Sequence, residues 1–76
     1  MTSYSDTIKA YLAGSGKSER ELAERAETTQ TSINRYRNGG RFPDADTARR
    51  IDQATQGAVP FAVWQAEFMT RSGLAA

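Results

Sequence analysis

SERELAERAETTQTSINRYRNG, residues 18–39, is the stretch whose reading decides the fold. It predicts two short helices separated by a tight turn. Ser18 is a good N-cap, and Glu21 three residues later completes the signature of a capping box, in which each side chain satisfies a backbone N–H of the other. Leu22, Ala23 and Ala26 then fall on one stripe of a helical period. The stripe stops at Ala26. Glu27-Thr28-Thr29 carries no apolar period and suits a turn, from which Thr29 can cap a second helix beginning at Gln30. Ile33 and Tyr36, at i and i+3, supply its buried face. Asn38-Gly39-Gly40 ends it, because Gly and Asn tolerate the left-handed backbone of a helix C-terminus.

Three further helices flank this pair. Before it, Ser3 or Ser5 can cap a helix with Asp6 in its first turn and Tyr4, Ile8, Tyr11 and Leu12 on its core face. Gly14-Ser15-Gly16 ends that helix near Ala13. After the pair, Gly40-Arg41-Phe42-Pro43 reads as a loop, with Phe42 plugging beneath it and Pro43 barring continuation of the preceding helix. Asp44 caps a fourth helix with Ala45, Ala48, Ile51 and either Ala54 or Thr55 on its apolar side. Asp46 and Arg50 are spaced as an i, i+4 ion pair, which leaves Arg49 without a partner. Gln56-Gly57 closes the fourth helix, and Pro60 suits the first turn of a fifth. There Phe61, Trp64 and Phe68 lie at i, i+3 and i+7, with Val63 and Met69 alongside. The arc is wider than one side of a small domain needs, and a surplus of apolar surface marks a partner contact. Phe61, Val63, Trp64, Phe68 and Met69 are therefore the candidate interface with a second copy or another protein.

The expected architecture is all-α, a compact five-helix bundle forming one domain over 1–76. Its helices fall at about 4–13, 18–26, 30–38, 44–55 and 60–71, with Met1-Thr2 frayed and 72–76 a loose tail. Seventy-six residues bury a modest core, roughly 60 per cent of the unfolded surface at this size.

The chain has no Cys and no His. A disulfide framework and the usual zinc sites are excluded, and so are the commonest pairs of nucleophile and base. No metal, cofactor or small-molecule ligand is expected, and no enzyme activity. No apolar run is long enough for a membrane span, and MTSYSD is no signal peptide, so a cytoplasmic protein is expected. Gly14-Ser15-Gly16-Lys17-Ser18 imitates a phosphate loop, but Tyr11 stands where that motif needs its first glycine, and helix rather than strand precedes it.

Net charge is only +1, but its distribution is uneven. Residues 1–29 carry four basic and five acidic side chains, whereas 30–50 carry five arginines against two aspartates. A phosphate backbone needs a local positive patch, not a basic protein. The exposed positions of the second motif helix (Gln30, Thr31, Ser32, Asn34, Arg35 and Arg37) all form hydrogen bonds, and none is acidic. Such a face suits the major groove, where Arg forks onto guanine and Gln or Asn onto adenine.

The stretch resembles the helix-turn-helix of phage repressor and Cro-like DNA-binding domains, the lambda-repressor-like type. The match runs through Ser18, Leu22-Ala23, Ala26, Thr29-Gln30, Ile33 and Asn38-Gly39, and it extends to Arg41-Phe42-Pro43. It covers about residues 4–56. Glu27 stands where the family usually has Gly in the turn. Glu19 stands where many members have a Gln that contacts a phosphate and braces the recognition helix, and a carboxylate would repel that phosphate.

The resemblance implies a transcription regulator that binds an operator in double-stranded DNA, a small Cro-like repressor acting by occupancy near the nucleoid of a prokaryotic or phage-infected cell. Gln30, Thr31, Asn34 and Arg35 are the candidates for base contact. Lys17, Ser32, Arg37, Asn38, Arg41 and Arg49 are the candidates for phosphate contact. Related regulators bind as twofold dimers, so a homodimer through the fifth helix is expected. The rival reading is an antitoxin-type interaction module whose aromatic fifth helix holds a partner protein.

Overall fold

The structure is a computed structural model that describes residues 3–71, so the expected frayed start and loose tail lie outside the described residues. It contains α1 (Tyr4–Ser15), α2 (Glu19–Arg25), α3 (Gln30–Arg37), α4 (Ala45–Ala54) and α5 (Phe61–Arg71), with no strand among the described residues.

The first four helices start on a side-chain oxygen of the residue before them. Thr29 Oγ1 accepts the Ser32 N–H at 3.1 Å, and the Asp44 carboxylate accepts that of Thr47 at 2.8 Å. Hydrogen bonding by Thr47, first through its side chain and then through its backbone, holds the Asp44 carboxyl below the usual carboxylate range. The reciprocal capping box forms at α1: Ser3 Oγ accepts from Asp6 N–H at 3.1 Å, and Asp6 accepts from Ser3 N–H at 3.4 Å. At α2 only the forward half forms, with Ser18 Oγ accepting from Glu21 N–H at 3.1 Å.

Two helix starts are also served from a distance. The N–H of Tyr4 donates to Glu67 Oε1 of α5 at 2.8 Å. The N–H of Phe61 donates to Asp52 Oδ2 of α4 at 2.7 Å. Each carboxylate satisfies a donor that has no partner inside its own helix, and each sits at the positive end of a helix dipole.

Every helix contributes to one core: Tyr4 and Ile8, Leu22 and Ala23, Ile33 and Tyr36, Ala48 and Ile51, and Trp64, with Ala26 and Val59 added from the connections. Burial of each large aliphatic side chain is worth about 1.5–3 kcal/mol. Trp64 is only 5% exposed. Its indole N–H donates to the Pro43 carbonyl at 2.8 Å. Its ring stacks on Phe42, Phe61 and Phe68 with centroids 5.5, 5.0 and 4.9 Å away. Phe42 in turn meets the edge of Tyr4 at 6.0 Å. Trp64 is thus spent on the monomer's own core, contrary to its expected place on an interface. Phe61 and Val63 are half-buried, and Phe68 and Met69 are exposed at 42% and 40%.

The expected role of Pro43 changes as well. α3 has already ended at Arg37, where Gly39 takes φ 76°. Gly39 N–H bonds back to Tyr36 O at 3.3 Å and Gly40 N–H to Arg35 O at 2.9 Å, the paired bonds of a Schellman stop. Pro43 is buried beneath α5 and serves as the acceptor for Trp64.

The Tyr4 hydroxyl is buried without a hydrogen-bond partner among the described residues. Burial, with Tyr36 and Asp52 nearby, pushes its pKa far above the ordinary tyrosine range. The folded state therefore keeps this proton longer than the unfolded chain does. Its contribution to stability is complete below about pH 10 and is lost as pH rises beyond that. Tyr4→Phe removes the unpaired hydroxyl and should match the wild type or exceed it by up to about 1 kcal/mol at neutral pH. Its advantage should grow above about pH 10. Urea denaturation at both pH values checks this, and a clear loss of stability in Tyr4→Phe would contradict it.

Candidate nucleic-acid interface

The aim of α3 is set by the turn that precedes it. Leu22, Ala23 and Ala26 are buried on the α2 side of the motif and Ile33 and Tyr36 on the α3 side. The small alanines allow the two helices to pack closely. α2 ends in a Schellman stop, with Glu27 N–H bonded to Glu24 O at 3.3 Å and Thr28 N–H to Ala23 O at 2.9 Å. This geometry puts Glu27 at φ 56°, the left-handed conformation that an L side chain disfavours.

The carbonyl of Ala26 lies just inside that stop, where no intrahelical donor reaches it. Arg50 of α4 supplies one: its Nε donates to Ala26 O at 2.9 Å, and its Nη2 donates to Thr47 Oγ1 at 3.1 Å. The expected Asp46–Arg50 pair does not form. Arg49 instead lies 4.0 Å from Asp46, with its guanidinium 4.8 Å from the centre of the Phe61 ring. On the outer face of α2, Arg20 pairs with Glu24 at 3.3 Å, whereas Arg25 and Glu21 form no ion pair among the described residues.

With Ile33 and Tyr36 turned inward, Gln30, Thr31, Asn34 and Arg35 are exposed on α3. Asn34 is already engaged. Its Nδ2 donates to the two carboxylate oxygens of Glu19 at 3.4 and 3.3 Å, and its Oδ1 accepts from Asn38 Nδ2 at 3.2 Å. Glu19 also faces Arg37 Nη1 at 3.6 Å. Glu19, Gln30, Thr31 and Asn34 line a shallow polar notch of about 280 Å³.

The remaining predicted phosphate contacts are placed separately. Ser32 is half-buried and accepts the Thr29 hydroxyl at 2.9 Å. Lys17 precedes the α2 cap, and its N–H is bonded to Ser15 Oγ at 3.1 Å. Arg41 is exposed in the loop after α3, its N–H bonded to Arg35 O at 3.4 Å. The structure therefore joins Asn34 and Arg37 through Glu19, and Asn38 through Asn34, while Arg49 rests against α5. The Glu19 cluster is absent from the sequence-based expectation. Its signal was an acid at the start of α2, opposite a helix that contains none.

A family model described as helix-turn-helix matches residues 8–59. The chain belongs to the helix-turn-helix family of Cro and repressor type. It is thereby a DNA-binding helix-turn-helix protein. No curated protein and no solved structure matches it. The matched span runs from α1 through α4 and stops before α5. No helix among the described residues is long and apolar enough to cross a membrane.

The clamp from α4 yields a direct comparison. Arg50→Ala should cost about 1.5–3 kcal/mol, because it removes a charge-assisted bond to a buried carbonyl. Asp46→Ala should fall within about 0.5 kcal/mol of the wild type, as exposed pairs do. Urea midpoints of the two variants measure the difference, and equal effects would show that the clamp is not what holds the turn.

Proposed function

We propose that this chain is a sequence-specific regulator of the Cro type, acting by occupying an operator in double-stranded DNA. One observation carries the reading. α3 is anchored by Ile33 and Tyr36 and exposes Gln30, Thr31, Asn34 and Arg35, with no acid on the helix itself. A B-form major groove about 12 Å wide admits such a helix and presents the acceptors and donors these side chains match. In this reading those four residues face base edges. Lys17, Ser32, Arg37, Asn38 and Arg41 flank them as phosphate contacts. Arg49, which covers the ring of Phe61, supports α5 instead.

A homodimer completes the proposal. Tyr36, residues 41–45, Trp64 and Phe68 line a groove of about 460 Å³ beside α5. Phe61, Val63, Phe68 and Met69 extend this apolar side and would meet a second copy. Twofold pairing would set two recognition helices about one DNA turn apart. Such an occupant of an operator in a cytoplasmic nucleoid would block polymerase or a competing regulator.

Selection from random duplex DNA tests the reading: a palindromic consensus is expected, and failure to enrich any sequence counts against it. On the selected duplex, Arg35→Ala should cost about 1–3 kcal/mol and relax preference at one base pair. Arg41→Ala should lower the salt slope by about one unit without altering preference. For the dimer, light scattering should report twice the monomer mass for the free protein and two chains per duplex for the complex; a single chain in both conditions refutes it.

A further inference from the structure

We infer that Glu19 is a specificity-determining residue of the DNA-binding face: its carboxylate orients Asn34 and neutralises Arg37, giving up phosphate affinity to gain discrimination between base sequences. The inference rests on the reading that α3 enters the major groove.

An ionised carboxylate only accepts hydrogen bonds. Glu19 therefore fixes which way the Asn34 amide points, with its NH2 group toward α2. Asn38 Nδ2 meets the oxygen from the other side and reinforces the same orientation. With a single N–H shared between the two carboxylate oxygens, Asn34 keeps one N–H and one lone pair, the complement of the adenine N7 and N6 edge. A side chain held this way loses less rotamer freedom when it docks.

Arg37 is affected in the opposite sense. Its guanidinium lies 3.6 Å from Glu19 Oε2, whose side chain is 20% exposed against 43% for the arginine. A cation already paired with a half-buried carboxylate releases fewer counterions when it meets a phosphate. The uncancelled remainder of the carboxylate field also repels the DNA backbone. Binding to arbitrary DNA consists almost wholly of that phosphate contribution, whereas binding to the correct site adds base contacts. Glu19 therefore weakens arbitrary binding more than specific binding, and discrimination rises.

Glu19→Gln keeps the size of the side chain and removes the charge. Affinity and salt dependence are measured on a mixed-sequence duplex and on the duplex recovered by selection. Binding of the mixed-sequence duplex should tighten roughly three- to tenfold, with a salt slope steeper by about one unit. The selected duplex should gain less, so the ratio between the two should fall. Damage to the fold would weaken binding, the opposite sign. An unchanged slope, or a ratio as high as that of the wild type, overturns the inference. The side-chain amide resonances of Asn34 in the protein without DNA give a separate readout. They should shift in Glu19→Gln, and indifference overturns the orienting role even where DNA binding persists. Absence of binding to any duplex by either protein overturns the operator reading and the discrimination with it, while the amide resonances still decide the bracing.

Discussion

The bond from Arg50 to the carbonyl of Ala26 is the constraint on which the geometry of the motif depends. α2 is only seven residues long, too short to be stable by itself. The carbonyl of Ala26, its C-cap, faces the turn that redirects the chain into α3. Were that oxygen buried and unpaired, the turn would carry a desolvation cost in addition to the left-handed Glu27. The guanidinium of α4 removes the first cost and ties the turn to a helix built independently on its own Asp44 cap. The recognition surface is thus held by a charged side chain from outside the motif as well as by the apolar contacts within it.

The aromatic stack plays the corresponding part at the other end of the molecule. Trp64 joins the loop after α3 to α5 through both its ring and its indole N–H, and Arg71 lies over the outer partner, with its guanidinium 4.5 Å from the Phe42 ring centre. A wide apolar arc on a short helix can be read either as an interface or as core. Here the loop after α3 folds back and covers Trp64, a packing that depends on the path of residues 38–43 and not on the helical period of α5. What remains at Phe68 and Met69 is a narrower exposed surface.

Local signals were legible in the sequence. Capping oxygens act across three residues and helical stripes across four, so Ser18, Thr29, Asp44 and the buried positions Ile8, Leu22, Ile33 and Ile51 could be read directly. Charges were harder. Arg50 has an acid four residues before it, yet it reaches Ala26, 24 residues away in sequence. Glu67 likewise serves the start of α1, 63 residues away, and Asp52 serves the start of the next helix, nine residues on. An exposed i, i+4 pair is worth only a few tenths of a kcal/mol, so a buried backbone group elsewhere outbids it. The candidate site shows the same division. The residue types on α3 were readable from spacing, but the engagement of Asn34 and Arg37 by Glu19 depends on how α2 crosses α3.

The bond between Tyr4 and Glu67 joins the first described helix to the last. A chain emerging from the ribosome makes α1 long before α5 exists. Until then the first N–H of α1 lacks its acceptor and Phe42 lacks the indole it stacks on. The scaffold beneath the recognition helix is therefore complete only after α5 has left the exit tunnel, and a nascent chain that stops short of Trp64 lacks part of its core.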